Sequence, residues 1–220
     1  MTVQGSGPME RSFCFLFADL AGFTALTEAH GDLDAADIAC RFAELARGVL
    51  CGSAHTVKTI GDAVMIVSDG PEDAIATALR IRRATEAELR FPDVRLGLAA
   101  GPAVERAGDY FGATVNLAAR VTAHARAGQI LCTEAVADAC RAMPDAEAVA
   151  AGQARFKNVA GAVSIYEVLD RRSSRAPGAT DPVCRMAVDP ATAAARLTRG
   201  DETYYFCSEA CARMFAERDP

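Results

Sequence analysis

The sequence predicts an α+β fold in which a central, mainly antiparallel sheet carries helices packed on it, followed by a small second unit. Three observations predict this. Strand-like and helix-like stretches alternate through the first three-quarters of the chain. Several strand-like runs meet at tight glycine turns, as antiparallel neighbours do. A polar Ser/Gly/Pro stretch then sets off about forty terminal residues.

Arg11 to Leu20 (RSFCFLFADL) has the aromatic and apolar density of a buried strand that closes on a carboxylate. Ala35 to Leu50 places Ile38, Phe42, Leu45 and Val49 at helical spacing. His55 to Val67 reads as two β-rich runs joined at Gly61-Asp62, a hairpin signal. Pro71 to Leu89 is expected to be helical, and Val94–Ala100 with Pro102–Arg106 a strand pair hinged at Gly101-Pro102. Ala113 to Arg126 is a helix, Ile130 to Cys132 a short strand and Glu134 to Met143 a helix. Ala162 to Leu169 is a closing strand. The boundaries that follow are a flexible N-terminus at 1–11, a first domain at 12–170, a linker at 171–179 and a second unit at 180–220. A unit of that last size seldom holds together on a hydrophobic core alone, so a metal or a docking surface is expected.

The 220 residues are 51% hydrophobic and 24% charged, which suits a globular chain. Apolar runs fall well short of the ~20 residues needed to cross a bilayer, so no membrane association is expected. Met1 to Arg11 has no basic start, apolar core and cleavage site, which points to the cytoplasm. A formal charge of −6 speaks against nonspecific nucleic-acid binding. Without a secretion signal, the eight cysteines do not read as a disulfide framework. Cys14, Cys40, Cys51, Cys132 and Cys140 are scattered and read as packing, whereas Cys184, Cys207 and Cys211 gather in the terminal unit. His30 and His55 have no partner at ligand spacing and read as surface residues, as does His124, four residues past Arg120 on one helix face.

Three segments of the first domain place polar residues where a plain core would not. Phe17-Ala18-Asp19-Leu20-Ala21-Gly22 ends a hydrophobic strand on a carboxylate and turns at a glycine. Lys58-Thr59-Ile60-Gly61-Asp62 sets a lysine and an aspartate about a hairpin tip. Gly108-Asp109-Tyr110-Phe111-Gly112 leads into a helix on which Asn116 and Arg120, four apart, share a face. Each residue taken singly is also what a solvated strand end, a turn or a polar helix face would carry.

In this order and spacing the segments resemble the catalytic domain of class III nucleotidyl cyclases, over about Ser12 to Leu169. The resemblance implies a ferredoxin-like cyclase fold and a homodimer with two shared active sites. It implies adenylate cyclase activity, making 3′,5′-cyclic AMP and pyrophosphate from ATP. By that likeness Asp19 and Asp62, with the backbone carbonyl of Leu20, hold two Mg²⁺ or Mn²⁺ ions, whose hard character suits oxygen ligands. Lys58 and Asp109 match the pair that reads the purine. A cation can donate to adenine N1 and a carboxylate can accept from N6, whereas guanine reverses both edges. Asn116 and Arg120 match the residues that orient the ribose and steady the reacting phosphorus. Lys157 lies where the family often carries a phosphate-binding lysine, although the usual following glycine is absent. Two other readings stay open: a catalytically inactive nucleotide-binding dimer module, and a metal-handling protein using the cyclase fold as scaffold.

Asp181-Pro182-Val183-Cys184 and Tyr204-Tyr205-Phe206-Cys207-Ser208-Glu209-Ala210-Cys211 resemble the YHS family of small domains related to metal-binding TRASH modules. Arg185 stands where that pattern often has glycine. Three thiols suit zinc or copper, and Glu209 is the nearest acidic candidate for a fourth ligand. Reduced structural thiols, or redox pairing of Cys207 with Cys211, are the alternatives. Metal at this module could regulate the cyclase.

Overall fold

A computed structural model of the chain describes residues 11–172 and 178–218. The first unit runs β1 (Arg11–Leu20), α1 (Phe23–His30), α2 (Asp32–Gly48), β2 (His55–Ile60), β3 (Ala63–Ser68) and α3 (Pro71–Ala87). It continues through β4 (Val94–Arg106), β5 (Asp109–Phe111), α4 (Ala113–His124), β6 (Ile130–Thr133), α5 (Glu134–Cys140), β7 (Ala146–Ala154) and β8 (Val163–Asp170). The strands lie in the order β2-β3-β1-β4-β6-β8-β7, with β5 attached to β4. Only the β4–β6 pairing is parallel among these strands, so the mainly antiparallel expectation holds. The order β2-β3-β1-β4 is that of a split βαβ, ferredoxin-like core.

Strand β1 explains why the sheet is buried on both sides. Its even residues Cys14, Leu16, Ala18 and Leu20 enter one core with Phe42 of α2, Ile75 and Ile81 of α3 and Val136 of α5. Its odd residues Phe13, Phe15 and Phe17 enter a second core with Met65, Tyr110 and Ala118 of α4. Side chains alternate faces along a strand, so a strand covered on both faces reads as one apolar run. Helix α4 sits close to the sheet because Gly97 has no side chain: a Cβ there would lie 2.3 Å from the backbone nitrogen of Thr122.

One local expectation needs correction, and two elements were not anticipated from the sequence. The strand pair hinged at Gly101-Pro102 is one continuous strand, β4, in which both residues stay paired with β1. The reversal comes later, at Ala107-Gly108, where φ values of 52° and 76° form a two-residue hairpin into β5. Helix α1 and strand β7 lack a clear hydropathy pattern. α1 fully buries Leu26 alone, in the core it shares with the terminal module, and β7 is a largely exposed run of mostly small residues.

The terminal module contains β9 (Ala179–Thr180) paired with β10 (Ala187–Val188), β11 (Ala195–Arg199) paired with β12 (Glu202–Phe206), and α6 (Glu209–Arg218). Residues 1–10 of the expected flexible N-terminus and 173–177 of the expected linker lie outside the described residues. The module docks on the first unit. The Ala187 N–H donates to the Phe91 carbonyl at 3.0 Å, and the Asp93 N–H donates to the Arg185 carbonyl at 3.0 Å. Val183, Met186, Phe206 and the three terminal cysteines share a core with Leu26 of α1 and Ala35 of α2. Among the described residues, no helix is long and apolar enough to cross a membrane.

Candidate functional site

Asp19 and Asp62 come together from different elements. Gly61 takes φ 61° at the first position of the two-residue β2–β3 loop, which puts Asp62 at the hairpin tip beside the end of β1. The Leu20 N–H donates to the Asp62 carbonyl at 3.4 Å, and the Ala21 N–H to the Asp93 carbonyl at 2.8 Å, which ties the strand end down. The Asp62 carboxyl is pushed up to about 6 by burial, and further by the charge of Asp19 and a hydrogen bond shared with it. Asp19 faces Arg95 directly across β1 and β4, and the guanidinium donates to its carboxylate at 2.7 and 2.5 Å. Two half-buried carboxylates side by side, with an arginine drawn in beside them, form a donor set suited to hard divalent cations. Arg95 was not among the sequence candidates; only the antiparallel register brings it to Asp19.

The second group is separate. A bulge in β2 between Thr56 and Lys58 sets Lys58 opposite Met65, and its Nζ lies 2.5 Å from the carboxylate of Asp109 at the start of β5. The Tyr110 N–H donates to the other oxygen of Asp109 at 2.8 Å. The hydrogen bond from Lys58, then that from Tyr110, hold the Asp109 carboxyl below its ordinary range. On α4, Ala118, Val121 and Thr122 face the sheet, while Asn116 is exposed and Arg120 half-exposed on the opposite side. Among the described residues no hydrogen bond or ion pair joins Asn116 or Arg120 to Asp19 or Asp62. Lys157 is exposed in the turn after β7. Asn158 follows it with φ 64°, a backbone region where Asn is the next most comfortable residue after Gly.

A family model for the adenylate and guanylate cyclase catalytic domain matches residues 8–169, well over half of the chain. The chain belongs to the class III nucleotidyl cyclases. The cyclase is 38% identical over 164 residues to a pH-sensitive adenylate cyclase of Mycobacterium tuberculosis, covering 73% of this chain and 41% of that protein. It is 37% identical over 116 residues to an adenylate cyclase of Streptomyces griseus, covering 52% of this chain and 29% of that one. The chain thus spans less than half the length of these relatives. Among solved structures, the adenylyl cyclase CyaB of P. aeruginosa superposes with a TM-score of 0.66 at 22% identity, covering 78% of this chain and all of that one. A second model, the YHS domain, matches residues 179–220 of the cyclase.

In the YHS module the three cysteines converge, and His30 joins them, which corrects its reading as a surface residue. His30 Nε2 lies 3.4 Å from the sulfur of Cys207 and 3.7 Å from that of Cys211. Cys184 and Cys207 sulfurs are 3.3 Å apart, and Cys207 and Cys211 3.7 Å. Glu209 is not part of the cluster. Asp181, fully buried, organises it: one carboxylate oxygen accepts from the Val183 and Cys184 N–H groups at 2.8 and 3.3 Å, the other from the Cys207 N–H at 2.9 Å. Hydrogen bonds to Cys207 and Cys211 push the Cys184 thiol up, while those from Cys184 and Cys207 draw the Cys211 thiol down. His55 and His124 are exposed, as expected. Of the scattered cysteines, Cys14, Cys132 and Cys140 are buried and Cys51 half-buried. Cys40 is exposed, and the packing expectation fails there.

Proposed function

We propose that the cyclase converts ATP to 3′,5′-cyclic AMP and pyrophosphate, acting as a head-to-tail homodimer with two shared sites. The observation that carries this reading is the pairing of Lys58 with Asp109, 2.5 Å apart. The pair offers a donor and an acceptor side by side, complementary to the adjacent N1 and N6 of adenine and mismatched to guanine. The naming of the Mycobacterium and Streptomyces relatives as adenylate cyclases supports the same choice.

In the reaction the ribose O3′–Pα bond forms, the bond from Pα to the pyrophosphate oxygen breaks, and the hydroxyl proton is released. Asp19, Asp62 and the Leu20 carbonyl would hold divalent cations, whose chemistry when bound is to acidify the 3′-hydroxyl and offset triphosphate charge. Lys58 and Asp109 exchange their mutual contact for the adenine edge. Asn116 orients the ribose, and Arg120 keeps its charge and forks onto phosphate oxygens as negative charge grows there. Lys157 offers a further cation to the phosphates.

The dimer is supported by the placement of Asn116 and Arg120 on the face of α4 away from the sheet-facing residues Ala118, Val121 and Thr122. Ile60, 51% exposed at the end of β2 before the Gly61-Asp62 turn, and Phe111, 56% exposed two residues past Asp109, are apolar surface suited to a second copy. Purified full-length chain supplied with ATP or GTP and Mg²⁺ or Mn²⁺ tests the proposal. Cyclic AMP is the expected main product. Cyclic GMP in excess would overturn the base assignment, and no cyclic product would overturn the enzyme reading.

A further inference from the structure

The cluster of His30, Cys184, Cys207 and Cys211 joins the two units of the molecule, and its dimensions are those of a coordination site. One ligand atom from each residue lies within 4.8 Å of every other. Zn–S bonds of about 2.3 Å and Zn–N bonds of about 2.0–2.1 Å at tetrahedral angles put sulfurs about 3.8 Å apart and nitrogen about 3.6 Å from sulfur. The measured sulfur–sulfur contacts are 3.3 and 3.7 Å, and the nitrogen–sulfur contacts 3.4 and 3.7 Å. Three thiols and an imidazole are the soft and borderline donors that select such an ion.

The surroundings are built for it. Cys184 and Cys211 are fully buried and Cys207 nearly so, within an apolar shell that includes Leu26, Val183 and Phe206. Asp181 fixes the backbone of Cys184 and Cys207 together, and Ser208 accepts from the Cys211 N–H at 3.2 Å at the start of α6. This is the supporting layer that ligands need to hold their direction. His30 is the last residue of α1, where Gly31 with φ 88° ends the helix and leaves the imidazole at its tip.

We propose that these four residues form a tetrahedral Zn(II) site that clamps the YHS module to helix α1 of the catalytic domain. The clamp closes over the segment that follows Asp19. A Cβ on Gly22 would lie 3.0 Å from the Arg185 side chain and 3.7 Å from the Cys184 backbone, so the Cys184 turn rests on the loop between Asp19 and α1. Arg185 itself takes φ 63°, and its guanidinium pairs with Asp93 at 3.3 Å. The side chain that replaces glycine there is therefore one more tie between the units. A four-ligand, closed site is structural in kind, and its energy is spent on holding its elements together.

The test uses the full chain, reduced, with Zn(II) competed against a chromophoric chelator and with Co(II) as a spectroscopic stand-in. Expected are one Zn(II) per chain, a tetrahedral thiolate–Co(II) spectrum and a Zn-dependent rise in melting temperature. His30→Ala should weaken Zn(II) binding about 100-fold and alter the Co(II) spectrum while the chain stays folded by circular dichroism. Cys211→Ser should act likewise, so the result does not hang on one variant. Unchanged affinity and spectrum in His30→Ala would overturn the clamp and leave a site internal to the module. Failure of the reduced chain to bind Zn(II), preference for Cu(I) without dependence on His30, or a Cys184–Cys207 or Cys207–Cys211 disulfide in place of metal would also overturn it. Cyclic nucleotide formation is not a readout here, so the outcome is separate from that of the adenylate cyclase proposal.

Discussion

Asp62 carries a cost that a cation would relieve. Its carboxyl titrates near 6 instead of its ordinary 3.8, chiefly because it is buried and then because Asp19 is beside it. A raised carboxyl means that the folded chain binds more protons than the unfolded one between about pH 4 and 6, so metal-free stability falls as pH rises through that window. Asp62→Asn should therefore stabilise the metal-free chain above pH 6, by about 1 kcal/mol after allowance for solvent screening, and leave it nearly unchanged at pH 4. Chemical denaturation at pH 4 and 7.5 measures this; equal effects at both would remove the charge explanation. Mn²⁺ affinity should weaken below pH 6, as protons compete for the same oxygens. The pair proposed to read the purine gives a second prediction at this scale. Lys58→Glu with Asp109→Cys inverts donor and acceptor, and should lower the ATP:GTP rate ratio by at least about 100-fold. An unchanged ratio in a still-active variant would take these residues out of purine reading.

Helix α4 sits where it does because of one glycine in a neighbouring strand. A side chain at Gly97 would meet the Thr122 backbone, and a helix backbone cannot give way as a flexible side chain can. Thr122 also donates to the Phe17 carbonyl of β1 at 3.3 Å, so strand and helix are fixed at short range. Gly97→Val should push α4 outward, destabilise the fold by about 2–3 kcal/mol, and lower kcat more than it changes KM, since Asn116 and Arg120 ride on that helix. Thermal unfolding together with steady-state kinetics checks both halves. Normal kcat in a destabilised protein would show that the position of α4 does not set turnover. Hairpin β2–β3 makes a similar contribution at the other half-site. Its two-residue loop places Asp62 next to Asp19, while the bulge four residues earlier turns Lys58 toward Asp109.

Two arrangements extend over the whole molecule. In the proposed head-to-tail dimer, Asp19 and Asp62 of one protomer would serve the nucleotide held by Lys58, Asp109, Asn116 and Arg120 of the other. Mixing inactive Asp62→Ala with inactive Asn116→Ala should restore about a quarter of wild-type activity. Half of randomly exchanged dimers are mixed, and one of their two sites contains every wild-type residue. No recovery after verified subunit exchange would count against shared sites. The second arrangement is the junction of catalytic domain and YHS module. If Zn(II) holds that junction in the form competent for catalysis, stripping it should slow turnover about threefold, a coupling of roughly 0.7 kcal/mol. Cys207→Ser, Cys211→Ser should already be slow and should not respond to chelation. That variant also separates the effect from Zn(II) displacing Mg²⁺ at Asp19 and Asp62. Identical responses in both proteins would place the metal effect at Asp19 and Asp62.

The sequence alone determined features written in local chemistry. The aromatic and apolar run RSFCFLFADL reads as a buried strand ending near a carboxylate. Gly61-Asp62 between two β-rich runs signals a tight turn at a hairpin tip. The three polar segments carry the cyclase family's pattern residue by residue, and the terminal cysteines mark a separate module. Helix α1 and strand β7 escaped because their stability comes from neighbours: α1 is covered by the YHS module, and β7, mostly small residues, lies at the end of the strand order beside β8. The continuity of β4 was hidden by Gly101-Pro102, which reads as a hinge until β1 is seen to pair straight across it. Arg95 reached Asp19 through strand register, and His30 reached Cys207 across 177 residues of sequence. Periodicity and spacing report only what lies within a turn or a strand length. Which helix end meets which thiol is decided by how the sheet, its helices and the docked module close upon one another.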